Sequence, residues 1–315
     1  MAKQADIEAL YDWVDYFHTL RLGDYADFTA AFFDGDFTKT LTEAQRDKHA
    51  WILAGLGFQP GQRILDIGSG WGNMLEAIRQ RGGTAVGLTL SRAQVRYSVG
   101  RGLDAWLQDW KTVDPVLLGM FDGVVSIGAF EHFCSIEEYL AGQQDQIYQD
   151  FFRLCAAVLR PGGKVFLQTM IWGNLAPDPR TMSLTAPEGT PERILARITK
   201  FYPGSWLPTG LDQIVRDGQS QFTFLSHNNG RLDYIETLRR WNESNRNLLR
   251  PSKFGKALLG VARLIPRYLA DPNFRIQIDS MRHSDQDTSF KKEIMSHERM
   301  FFQKTGVSWK PTPTG

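Results

Sequence analysis

The chain has 315 residues, 42% of them hydrophobic and 23% charged, with a formal net charge of +1. This is the profile of an ordinary globular protein, and without a basic block it excludes a protein that grips nucleic acid through its phosphates. Cys134 and Cys155 fall in no metal-binding or redox spacing, no HExxH or EF-hand pattern occurs, and no run of about 18 apolar residues is present, so no metal and a cytoplasmic location are expected.

In chain order, Ile7, Leu10, Tyr11, Val14 and Phe17 recur at helical spacing. Thr40, with Glu43 three residues on, reads as the N-cap of a helix running to Leu56 and stopped by Gly57. Residues 1–58 therefore read as an N-terminal helical cap. From Gln59 the pattern changes to short apolar strands alternating with helices. Strands are expected at 63–67, 84–88, 121–127 and 164–169, and helices at 73–81, 91–100 and 148–159. Arg160-Pro161-Gly162-Gly163 should turn the chain into the last of these strands. Such alternation builds a parallel sheet with helices on both faces. Ligands bind such sheets at the carboxyl ends of the strands, which puts the loops after Asp66, Leu88 and Ser126 in one crevice.

Beyond Met170 the pattern is less regular. A Pro/Gly-rich stretch covers 177–191, and Tyr202-Pro203-Gly204 reads as a turn. A strand follows at 221–226, a helix at 233–249 and a last strand at 299–304. Residues 254–270 form an amphipathic helix in which Lys253, Lys256, Arg263 and Arg267 stand among Leu258, Leu259, Val261, Leu264 and Ile265. Pro266 should kink it or end it early. It reads either as a packed surface helix or as one that faces lipid.

The chemistry-bearing signal is Asp66-Ile67-Gly68-Ser69-Gly70-Trp71-Gly72. Glycine lets the backbone turn tightly and approach a ligand where a Cβ would intrude. A dinucleotide site would show GxGxxG with an acid about 20 residues later, but here the glycines fall as GxGxG and the second strand ends Leu88-Thr89-Leu90-Ser91 without an acid. The lysine of a phosphate-binding loop is also missing. A methyl-donor site fits this spacing, beside a nucleotide site or a purely structural turn.

With Val86-Gly87-Leu88-Thr89-Leu90-Ser91-Arg92-Ala93-Gln94, Ser126-Ile127-Gly128-Ala129-Phe130-Glu131-His132-Phe133 and Arg160-Pro161-Gly162-Gly163 in the same order, residues 1–306 resemble the cyclopropane fatty acid synthase and mycolic acid cyclopropane synthase family of S-adenosylmethionine-dependent enzymes. The resemblance implies a Rossmann-like class I methyltransferase sheet over 59–315. Acceptor-pocket insertions at about 134–145, 173–220 and 230–296 would form a helical lid. It implies S-adenosylmethionine as donor, with Phe28, Thr29, Asp66, Gly68, Gly70, Thr89, Leu90, Gln94, Asp109, Trp110 and Ile127 around it. The alternatives are a core role for Trp110 and a solvated one for Gln94.

On the acceptor side the resemblance implies Glu131 and Tyr234 as catalytic groups, with His132 beside them as a base or a structural residue. His227 is a further pocket candidate. Family members methylate a double bond of a lipid acyl chain and use a bound bicarbonate as base. Here the family's Tyr-Ser-Cys-Ala-Tyr-Phe reads Phe28-Thr29-Ala30-Ala31-Phe32-Phe33, and its histidine after the 164–169 strand aligns with Asn174, which weakens the bicarbonate site. The expected function is C-methyl transfer to an unsaturated or hydrophobic acceptor, membrane- or carrier-bound, by an enzyme peripheral to a membrane and compatible with a homo-oligomer. A small-molecule C-, N- or O-methyltransferase on the same scaffold is the alternative.

Overall fold

A computed structural model describes residues 16, 17, 20, 21, 27–202 and 204–305. Ile7, Leu10, Tyr11 and Val14 of the first expected helix lie outside the described residues, as does Pro203.

The expected capping box is present: Thr40 accepts the Glu43 amide, and the Glu43 carboxylate accepts the Thr40 amide, at the start of α1 (Leu41–Leu56). Gly57 closes the helix in the left-handed conformation, where a side chain would be strained. The chain then alternates through β1 (Arg63–Ile67), α2 (Asn73–Gln80), β2 (Thr84–Thr89), α3 (Arg92–Gly100), β3 (Asp104–Leu107), α4 (Pro115–Leu118), β4 (Phe121–Ile127), α5 (Ile136–Leu140), α6 (Gln144–Val158) and β5 (Leu159–Trp172), of which β3, α4 and α5 were not expected. The second half holds α7 (Pro191–Phe201), α8 (Leu211–Gly218), β6 (Phe222–Asn229), α9 (Arg231–Ser244), α10 (Pro251–Ala270), α11 (Pro272–Arg282), α12 (Asp285–Lys291) and β7 (Met295–Lys304).

The seven strands form one sheet in the order β3-β2-β1-β4-β5-β7-β6, with β7 antiparallel to both neighbours. Arg160-Pro161-Gly162-Gly163 falls within β5 yet still behaves as a turn. Phe121 pairs with Leu159 and Gly123 with Lys164, so these four residues loop out of the ladder. Ser126 Oγ donates to the Ile67 carbonyl at 2.9 Å, tying β4 to β1 where both strands end. Helix α1 shares the core of the sheet through Ile52 and Leu53, which pack with Ile64, Phe166 and Phe301. Pro266 does not end α10 as expected. On a solvent-exposed turn its ring costs the helix one hydrogen bond, from the carbonyl of Ala262, which water can satisfy.

Candidate active site

Three loops at the carboxyl ends of β1, β2 and β4 meet in a cavity of about 200 Å³. All eleven residues expected around the donor line it: Phe28, Thr29, Asp66, Gly68, Gly70, Thr89, Leu90, Gln94, Asp109, Trp110 and Ile127. The three loop glycines have positive φ, each in a different setting. A Cβ on Gly68 would sit 2.2 Å from the Ala129 Cβ, and one on Gly72 would meet Leu103 and Ser98 at 2.9 Å. Nothing lies within 4 Å of a Cβ on Gly70, so there the backbone borders open space. Asn73 and Met74, the first residues of α2, also line the cavity and bring its positive dipole end to it.

Gln94 is buried, and its Oε1 accepts the Thr89 hydroxyl at 2.6 Å, so it is not the solvated residue that was one alternative. Trp110 is both cavity wall and core, packed on Phe133 at 4.7 Å between ring centres. Burial, and then the nearby Asp27, push the Asp66 carboxyl up to about 8, and its Oδ1 has no hydrogen-bond partner.

A second cavity, of about 190 Å³, adjoins the first and shares four residues with it: Phe28, Thr29, Gly128 and His132. Glu131 and Tyr234 line only the second cavity. Glu131 Oε1 accepts the Met170 amide at 2.9 Å, while the buried Oε2 has no partner. Burial raises its carboxyl to about 7. Burial lowers the His132 imidazole to about 4, which leaves it neutral at physiological pH, and its Nδ1 is 2.7 Å from Ser205 Oγ. Ile198, Phe201, Leu238 and Trp241 supply apolar walls.

Two expectations fail here. His227 is on the exposed side of β6, paired with Glu298 at 2.9 Å, and lines neither cavity. Asn174 lies exposed beyond the end of β5; Gln168 is the β5 residue that faces the second cavity, with Met170. Residues 134–145 line neither cavity. They buttress the following chain instead: the Cys134 carbonyl accepts the Trp206 amide, Tyr139 packs on Trp206, and Gln144 donates to the Leu207 carbonyl.

Sequence reasoning missed Gln168, Gln286 and His297 of the second cavity. His297, on β7 opposite Met170, is fully buried and packs edge-on against Tyr234 at 5.2 Å. Burial and the nearby cations Arg299 and Lys48 hold it well below the usual histidine range. Its neighbours Ser296, Glu298 and Arg299 are polar, so nothing in the sequence marked a buried histidine there.

The segment 27–33 separates the cavities and is held from both sides. Lys48 Nζ, from α1, lies 2.9 Å from Asp27 Oδ2 and 2.6 Å from Thr29 Oγ1, and His49 Nε2 is 3.2 Å from the same carboxylate. Burial opposes the charge on Asp27, yet Lys48 beside it holds the carboxyl well below its usual range. From the other side, buried Arg299 donates to the Ala31 carbonyl at 2.6 Å and pairs with Asp233 at 2.8 Å; Thr237 Oγ1 accepts the Ala31 amide.

Glu131 Oε2, Gln168 Oε1 and His297 Nδ1 are buried around the second cavity without a hydrogen-bond partner. The Gln168 amide donates to the Ala30 carbonyl, which leaves the His297 imidazole and the Tyr234 hydroxyl among the groups there able to donate to the bicarbonate the resemblance implies. Among the described residues no group of three or more His, Cys, Asp or Glu is placed to hold a metal ion.

A seven-stranded sheet with one reversed strand, and a bare glycine loop at its carboxyl edge, define a class I S-adenosylmethionine-dependent methyltransferase. The chain belongs to the mycolic acid cyclopropane synthetase family, whose model matches residues 1–256. Cyclopropane mycolic acid synthase 2 of Mycobacterium leprae is 31% identical over 250 residues, 75% of this chain and 77% of that one. Hydroxymycolate synthase MmaA4 of Mycobacterium tuberculosis is 30% identical over 252 residues, 76% of this chain and 77% of that one. The crystal structure of mycolic acid cyclopropane synthase CmaA1 complexed with SAH and CTAB superposes with a TM-score of 0.73 at 25% identity, over 96% of this chain and 98% of that one.

Proposed function

We propose that the enzyme transfers a methyl group from S-adenosylmethionine in the first cavity to a carbon of an unsaturated fatty acyl chain in the second, at a membrane or carrier surface. The shared wall of Phe28, Thr29, Gly128 and His132 carries this reading, because it places two pockets of contrasting chemistry edge to edge. Methyl transfer needs in-line approach over roughly 3–3.5 Å, so the two ligands have to meet directly where these four residues border both cavities, not across them. Relatives that include both cyclopropane and hydroxymycolate synthases support a lipid acceptor and leave the product open.

When bound, the donor supplies a methyl group already activated on a sulfonium. The Gly70 backbone and the α2 N-terminus receive its amino acid portion, Thr89 and Gln94 the ribose, and Asp109 and Trp110 the adenine. Attack by the acceptor double bond would form the new carbon–carbon bond as the methyl–sulfur bond breaks, leaving a neutral thioether on the donor side and a positive charge on the acceptor. The faces of Phe28, Tyr202 and Trp241 stabilise that charge, and the dry walls keep water from quenching it. Glu131 takes the proton that must then leave. Loss from the transferred carbon closes a cyclopropane; loss from a neighbouring carbon leaves a methyl-branched alkene. A small-molecule acceptor is the second reading, favoured by the polar floor of Glu131, Gln168 and Gln286.

The test is incubation with labelled donor and a lipid extract, followed by mass and NMR analysis of the labelled product. Acyl chains gaining one carbon are expected. Label recovered only in a polar metabolite would replace the lipid reading by the second.

A further inference from the structure

Helix α10 is an exception on an otherwise conventional surface. Only Ala257 and Gly260 of its 20 residues are buried, with Gly260 against Tyr16 and Phe17. Phe254, Leu258, Val261, Ile265 and Leu269 are each more than half exposed. At 100° per residue these five fall within an arc of about 80°, so they form one continuous apolar stripe on the side turned from the protein. Leu259, also more than half exposed, carries the apolar surface round towards Lys256 and Arg263, both exposed. From Asn245 to Ala270 the sequence contains Arg246, Arg250, Lys253, Lys256, Arg263 and Arg267 and no acidic residue. A single exposed leucine means nothing, whereas a contiguous apolar stripe marks an interaction surface.

The charge identifies the occupant. A second copy of this chain would bring six more cations to the same interface and be repelled; an acyl-rich surface with anionic headgroups satisfies both halves of the helix. The helix is also placed for delivery. After Asp271 it continues into α11, whose Ser280 and Met281 line the second cavity. The Leu20 carbonyl accepts from Lys253, and the adjacent Arg21 lines that cavity as well. Among the described residues no helix is long and apolar enough to cross a membrane. We infer that α10 lies in the headgroup layer of an anionic bilayer, apolar stripe inward, and holds the mouth of the second cavity against the lipid.

The experiment is co-sedimentation of the full chain with vesicles of phosphatidylglycerol and phosphatidylcholine, or of phosphatidylcholine alone, from 50 to 500 mM salt. Binding to the anionic vesicles that weakens with salt is expected, with at least tenfold weaker partition for Leu258→Asp combined with Ile265→Asp. Both positions are exposed, and an unchanged circular dichroism spectrum and donor-binding heat would show that the variant is folded. Lys256→Glu combined with Arg263→Glu should lose the preference for anionic vesicles and keep weak binding to both. Because vesicle binding needs no turnover, failure of the methyl-transfer reading would leave this result standing, and the reverse. Equal partition of wild type and the Leu258/Ile265 variant, or no partition of wild type, would overturn the inference. So would a wild-type dimer in sedimentation velocity that the same variant converts to monomer.

Discussion

Glu131 combines two properties that conflict at neutral pH. Its carboxyl is buried with one oxygen unpartnered, and its pKa of about 7 stands above the ordinary 4.5. The folded state therefore holds this proton more tightly than the unfolded chain. The stability this confers is fully present below about pH 4.5 and is lost as pH rises through about 7, a loss of about 3 kcal/mol at 1.36 kcal/mol per pKa unit. Glu131→Gln keeps an oxygen for the Met170 amide and removes the ionisation. The variant should melt several degrees higher than wild type at pH 8, melt with it at pH 4, bind donor within about twofold of wild type, and turn over at least 100-fold more slowly, the usual scale for a lost general base. Wild-type kcat should rise with pH around 7. A variant with near-normal turnover would remove Glu131 from the chemistry.

At the scale of elements, the glycine loop offers a contrast within three residues. Gly68→Ala drives a methyl group into Ala129, whereas Gly70→Ala meets only open space and the cost of its positive φ, about 1–2 kcal/mol. Gly68→Ala should therefore lower the melting temperature markedly. Gly70→Ala should fold and lose at least tenfold in donor affinity by calorimetry; if affinity is retained, the loop does not hold the donor. Strands β1, β2 and β4 and the glycine loop were legible as short apolar runs, two of which stop at a glycine of positive φ, Gly68 after β1 and Gly128 after β4. Strand β3 was not, being four residues at the sheet edge that begin with an acid. Helices α7 and α11 were missed: Pro191 was read as the end of a Pro/Gly-rich stretch and 271–282 drew no reading, yet Pro191 and Pro272 each occupy the first helical position, where the missing N–H costs nothing. His297 escaped because β7 meets β5 across well over a hundred residues of sequence, and no local motif announces such a pairing.

On the scale of the whole molecule, the wall between the cavities depends on a buried charge cluster, of which Asp27 and His49 also line the first cavity. Lys48→Met strands Asp27 in the interior beside His49, and breaking a buried pair by removing one partner costs about 3–5 kcal/mol. The variant should melt far below wild type and lose both donor and acceptor affinity, since Thr29 borders both cavities. Adding Asp27→Asn should restore much of the melting temperature, read by calorimetric scanning. Full stability in the single variant would mean that His49 carries the carboxylate unaided.

Residues 27–33 are thus a party wall, pinned to α1 on one flank and to Arg299 on the other. Pressure from a tenant on either side displaces the boundary for its neighbour, and equilibrium linkage makes the effect mutual: whatever factor the nucleoside changes in the affinity for the acyl chain, the acyl chain must return to the nucleoside.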